Sequence, residues 1–89
     1  MLVEYFRKPN SRIKKGVMLA IPNLFLGKVD FGCSLCNLGL DKFDKDHGLG
    51  IARDRAMIDR PLVVPHSMKK AFSHFQTRCE KYYKQLKVY

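Results

Sequence analysis

From Met68 to Leu86 the apolar residues gather on one side of a helix. Met68, Ala71, Phe72, Phe75, Cys79, Tyr82, Tyr83 and Leu86 fall within a single arc when turned by about 100° per residue, and Lys70, His74, Arg78, Lys81 and Lys84 fall opposite. A stripe this wide has to be covered, and a β-sheet built from the residues before it is the simplest cover. Ser67 is placed to cap this helix, which is expected to run to about Leu86.

The sheet is foreshadowed near the N-terminus. Met1–Phe6 is β-prone and ends in the turn cluster Arg7-Lys8-Pro9-Asn10-Ser11. Arg12–Ile21 reads as a strand with a basic start and an apolar finish, stopped by Pro22-Asn23. Phe25–Phe31 then returns antiparallel through residues 22–28 as a hairpin. Gly27 and Gly32 either weaken that return strand or mark places where another backbone comes close.

Asp41-Lys-Phe-Asp44 has the look of a helix start, a carboxylate cap with a further acid in the first turn. Phe43, His47, Ile51 and Ile58 follow at helical steps, joined by Ala52 and Ala56. Gly48 and Gly50 each cost about 1 kcal/mol relative to alanine in a helix, so the segment is expected to divide into a short turn and a helix from about Leu49 to Ile58. Arg60–Pro65, bounded by prolines, fits only an edge strand. The layout is β-β-β-α-β-α. One α+β domain covers residues 1–89, with a small antiparallel sheet (a hairpin plus short edge strands) packed against a middle helix and a basic, amphipathic C-terminal helix. There is no internal repeat or low-complexity tract.

Hydrophobic residues make up 46% of the chain and aromatics 11%, enough for a packed core and too much for a disordered tail. No apolar run approaches the about 20 residues of a membrane span. The N-terminal charges follow a very short apolar stretch, the reverse of a secretory signal. A cytoplasmic protein with no membrane partner is the expectation.

Charge is distributed unevenly. The net charge is +9, from 17 basic and 8 acidic residues. Residues 1–28 carry six basic groups against one acidic, residues 29–66 five against six, and residues 67–89 six against one. Two basic ends flank a nearly neutral middle. A polyanion is the natural partner, because each cation that neutralises a phosphate releases counterions. The candidate nucleic-acid contacts are Arg7, Lys8, Arg12, Lys14 and Lys15 at one end, and Lys69, Lys70, Arg78, Lys81 and Lys84 at the other. A solvated outer helix face has the same pattern, but two separate basic sets would both have to be accidental; if the two ends converge in space, they form one groove. Arg53 and Arg55 stand beside Asp54 and Asp59, as intrahelical pairs or as contacts for a phosphate or a partner. Tyr5, Tyr82, Tyr83 and Tyr89 are able to stack on bases, although Tyr82 and Tyr83 lie on the apolar arc and suit core packing.

Cys33, Cys36 and Cys79 are an odd number of thiols, free in a reducing compartment. Cys33-Ser-Leu-Cys36 lacks the second C-x-x-C of a structural zinc site, and His47, His66 and His74 are scattered without ligand spacing. Asp41, Asp44 and Asp46 do not make an EF-hand, since no Glu closes a twelve-residue loop. No P-loop, dinucleotide-binding glycine motif or catalytic triad motif is present. The expectation is a binding protein without metal, cofactor or catalytic residues.

The segment from Gly32 to Ala56 resembles a pattern of small accessory proteins of tailed phages, with the frame G-x-S-x-C-N, then D-x-F-x-K, then G-x-x-I-A-x-x-R-A. The whole chain, short and basic with a hairpin and a basic C-terminal helix, is similar to the T-even phage antitoxins of the TifA type. The resemblance implies an RNA-associated protein of the infected bacterial host that counters the toxin ribonuclease ToxN. Three functions stay open. The first is an RNA-binding protein (DNA remaining an alternative polymer) that neutralises a host defence factor by binding it, its RNA or both. The second is a protein-only inhibitor docking on an acidic host enzyme. The third is a nucleotide-sequestering pocket lined by Ser34, Asn37, Arg53 and Arg55. A self-complementary sheet edge would make a homodimer, whereas Pro61 and Pro65 would blunt one edge.

Overall fold

A computed structural model describes residues 1–7, 10, 12–36, 43–58 and 62–88. Strands β1 (Leu2–Arg7), β2 (Lys14–Asn23) and β3 (Lys28–Leu35) form an antiparallel sheet in the order β1-β2-β3. Helix α1 (Lys45–Met57) follows, then a 3-10 turn (His66–Met68) that leads directly into helix α2 (Lys69–Tyr82). The fold is α+β, as expected.

Each helix covers a different face of the sheet. The apolar run Val17-Met-Leu-Ala in β2 explains why: alternate residues of a strand point to opposite faces, and both sets here are apolar and buried. Met18 and Ala20, with Val29, Phe31 and Cys33 of β3, pack under Met68, Phe72, Phe75 and Cys79 of the α2 segment. Phe31 meets Phe72 edge-on at 5.3 Å and Phe75 at 6.1 Å. Val17 and Leu19 face the other way and pack under Ala52 and Ala56 of α1.

The strands run about two residues later than the sequence pattern suggests. Pro22 and Asn23 lie inside β2, opposite Val29 and Lys28. A proline is tolerated there because β1 has already ended, its first pair being Leu2↔Ala20, so β2 has a neighbour on one side only. The turn moves to residues 24–27, where the Leu26 amide donates to Asn23 Oδ1 at 3.1 Å and Gly27 takes a left-handed φ of 67°.

Helix α1 is continuous from Lys45, not divided at its glycines. Asp44 caps it, accepting from the His47 amide at 3.0 Å. Of the expected capping segment, residues 41 and 42 lie outside the described residues. The buried stripe is Gly48, Ala52 and Ala56, while His47 and Ile58 are exposed. This stripe lets α1 lie directly on β3. A Cβ at Gly32 would run into the Ala52 carbonyl oxygen and come within 2.9 Å of the Ala56 amide nitrogen. Gly48 sits against Val17, where a Cβ would lie 3.3 Å from its Cγ2. Gly50 has nothing within 4 Å. Gly50→Ala is therefore expected to stabilise the protein by about 0.5–1 kcal/mol. The check is a thermal melt, in which the midpoint rises by a few degrees.

Two expectations at the C-terminal side are corrected. Leu62–Pro65, the described part of the expected edge strand, has no regular structure. It is held by the packing of Leu62 and Val64 on the core and by a sulfur contact from Cys33 Sγ to the Val63 carbonyl at 3.5 Å. Ser67 does not cap α2, because the 3-10 turn supplies the first turn and no side chain caps the helix start. The helix also stops at Tyr82. The chain then turns back, and Lys87 bridges Lys28 on the outer side of β3. The turn leaves Tyr82 65% exposed, whereas Tyr83 remains half-buried against the core. No helix among the described residues is long and apolar enough to cross a membrane.

Candidate nucleic-acid interface

The basic residues of the β1–β2 end are arranged by a register shift. Pairing steps from Phe6↔Gly16 to Arg7↔Lys14, which leaves Lys15 as the extra residue of a bulge. Lys14 then lies over the Tyr5 ring, its Nζ 4.6 Å from the centroid, and Lys15 over the Phe6 ring at 5.3 Å. Tyr5 and Phe6 are neighbours in a strand and face opposite sides of the sheet, so the two lysines flank β1 from both faces. Lys45, the first residue of α1, lies 5.3 Å from the Tyr5 centroid as well. A ring beneath an ammonium is worth about 0.5–1 kcal/mol at exposed sites. It steadies the side chain and leaves the N–H donors free for an anion.

Helix α2 meets this end across β1. Arg78 and Glu4 form an ion pair at 3.7 Å that ties the helix to the strand. Between them runs a groove of about 520 Å³ whose walls include Tyr5, Phe6 and Arg7 from β1 and Ala71 and His74 from α2. Arg7 and His74 thus share one groove; Lys15, over Phe6, lies on the α2 side of the sheet, whereas Lys14 and Lys45, over Tyr5, lie on the α1 side. Lys69, Lys70, Arg78 and Lys81 stand exposed along that helix, and Lys84 is exposed just beyond it. Among the described residues the ion pairs are Arg78–Glu4 and Lys28–Asp30, so Arg7, Arg12, Lys14 and Lys15 have no carboxylate partner there. Arg12 is exposed, and Lys8 lies outside the described residues.

Lys45 escaped the sequence reading. It follows a helix cap in the nearly neutral middle, and nothing local links it to Tyr5, forty residues away. Conversely, Arg55 is engaged within the fold, donating from its guanidinium to the Cys33 carbonyl at 2.9 Å. Arg53 is exposed on α1. Ser34 is buried and donates to the Gly48 carbonyl at 2.8 Å. Asn37, the remaining residue of the nucleotide-pocket reading, lies outside the described residues.

Among the described residues no group of three or more His, Cys, Asp and Glu is placed to hold a metal ion. Cys33 and Cys79 are buried and Cys36 is half-buried. Burial pushes the Cys79 thiol up to about 11 against the opposing pull of Arg78, and it raises Cys33 against that of Arg55. In the native protein a thiol reagent at pH 8 is expected to modify Cys36 quickly and the other two only on unfolding. An unfolded thiol loses its proton near pH 9, so from there to about 11 only the unfolded chain is deprotonated at Cys79. Stability should be insensitive to these thiols below pH 9 and fall as pH rises through that window. Urea titrations at pH 8 and 10.5 check the sign.

No protein-family model, no curated protein and no solved structure matches the chain.

Proposed function

We propose that the protein binds RNA along the surface formed by the β1 edge and the outer face of α2, acting by binding and not by catalysis. The observation that supports this reading best is the groove shared by Arg7 and His74, which sets one cation of the N-terminal set beside the outer face of α2. Lys14, Lys15 and Lys45, each set over an aromatic ring beside the same strand, extend the positive surface to both faces of the sheet. Cations spaced along a strand and a helix follow a phosphate backbone, and this gives affinity with little sequence preference. The resemblance to TifA-type phage antitoxins supplies the setting: neutralisation of a host toxin ribonuclease by binding it, its RNA or both.

Size-exclusion of the purified protein, with absorbance ratio read before and after ribonuclease, tests this. RNA that co-elutes and is removed by ribonuclease or high salt is the expected result. A clean peak that retains a protein partner through nuclease treatment and takes up no added RNA would favour a protein-only inhibitor instead.

A further inference from the structure

Tyr82 is the one exposed tyrosine among the described residues, at 65%. By periodicity it belongs with the core residues of α2, but it lies at the margin of the apolar arc, and the helix ends there before the chain turns back. Its ring meets that of Tyr83 edge-on, with centroids 4.8 Å apart and planes at 82°. Tyr83 is half-buried against the core and so anchors its neighbour. A perpendicular partner covers at most one face of a ring, and with Tyr82 this exposed the other face is open to a planar ligand.

The surroundings of the ring indicate which ligand. Arg7 shares its groove with Ala71 and His74, and Glu4, three residues back along β1, pairs with Arg78 further along α2. At 100° per residue Ala71, Arg78 and Tyr82 fall within about 40° of one another around the helix axis. Tyr82 therefore stands one turn beyond Arg78, about 6 Å along the helix. Lys81 and Lys84 are exposed before and after it in the chain. The row of cations ends in an aromatic ring. Among the described tyrosines no other offers this: Tyr5 is engaged by Lys14, Lys45 and Phe43, and Tyr83 faces the core.

Building on the RNA-binding surface proposed above, we infer that Tyr82 is a base-stacking site, which takes one unpaired base and adds affinity for single strands that a duplex cannot draw on. In a duplex the base faces are already stacked on one another, whereas an unpaired base offers its π-face to the ring. Every base has such a face, so the site reads strandedness and not sequence. Arg78 and Lys81 hold the phosphates on either side of the stacked base.

Fluorescence anisotropy of the full chain tests the site, with a labelled oligoribonucleotide used single-stranded and annealed to its complement. Tyr82→Ala is expected to lose about tenfold in affinity for the single strand and to bind the duplex as the wild type does, while Tyr82→Phe, which keeps a ring, retains both affinities. The salt slope on the single strand should be the same for Tyr82→Ala and the wild type, since no phosphate contact is removed. A Tyr82→Ala protein that binds the single strand as tightly as the wild type, or that weakens equally on both forms, would overturn the stacking site and leave the basic surface standing. A wild type that binds neither form would overturn the RNA-binding reading itself, and the stacking site with it.

Discussion

Gly32→Ala is expected to unfold the protein or to lower its stability by about 3 kcal/mol or more. The added methyl would meet the Ala52 carbonyl oxygen and the Ala56 amide nitrogen. These are backbone atoms inside a helix, and neither yields without moving α1 off the sheet. Moving it would also stretch the Ser34–Gly48 and Arg55–Cys33 hydrogen bonds and open the packing of Ala52 and Ala56 on Val17 and Leu19. A chain of this length has roughly 5–10 kcal/mol of stability in all. Urea denaturation followed by circular dichroism reads the change. Gly50→Ala makes the same chemical change two residues after Gly48 with the opposite sign expected, so the pair separates close packing from glycine's general flexibility. A Gly32→Ala protein within 1 kcal/mol of wild type would mean that α1 does not rest on β3 as described.

The second large effect is on affinity. Replacing Arg7, Lys14 and Lys15 together by glutamine is expected to weaken binding to single-stranded RNA by about a hundredfold, since each cation removed from a phosphate costs about 1 kcal/mol. The weakening should be nearly uniform across RNA sequences, because cations on a backbone carry no base readout. The triple variant should remain folded, short of the about 0.5–1 kcal/mol that each lysine–ring pair provides. Lys28→Gln, at the opposite end of the sheet and already paired with Asp30, should bind as the wild type does. Equal weakening in both variants would show that total charge, not this surface, governs binding. Fluorescence anisotropy with a labelled oligoribonucleotide measures all three proteins.

What could be read from the sequence follows the range of the interactions concerned. The inner face of α2 was legible because Phe72, Phe75 and Cys79 recur at the helical period and the core buries them. Its end was not, since the turn after Tyr82 is stabilised by Lys87 pairing with residues 27–29, far back in the chain. The hairpin was legible from its apolar runs, but its turn was misplaced at Pro22. That proline is excused by the length of β1, which no local pattern reports. In α1 the two glycines looked like breaks, whereas Gly48 is part of a small-residue stripe with Ala52 and Ala56 whose counterpart, Gly32, lies on β3. The candidate interface divides in the same way. Arg7, Lys14 and Lys15 were visible as charges, while the juxtaposition of Arg7 with His74, the Arg78–Glu4 pair and the placing of Lys45 over Tyr5 are tertiary.

The salt dependence of RNA binding by the wild-type protein tests the central claim most directly. The dissociation constant for a labelled single-stranded RNA would be measured by anisotropy between about 50 and 400 mM salt, a range over which counterion release is readily resolved. Arg7, Lys14, Lys15 and the exposed cations of α2 predict a linear fall of log K with log salt, with a slope of about −0.7 for each phosphate neutralised and at least about −3 in all. Binding that is absent at low salt, or that shows no dependence on salt, would contradict a phosphate-tracking surface.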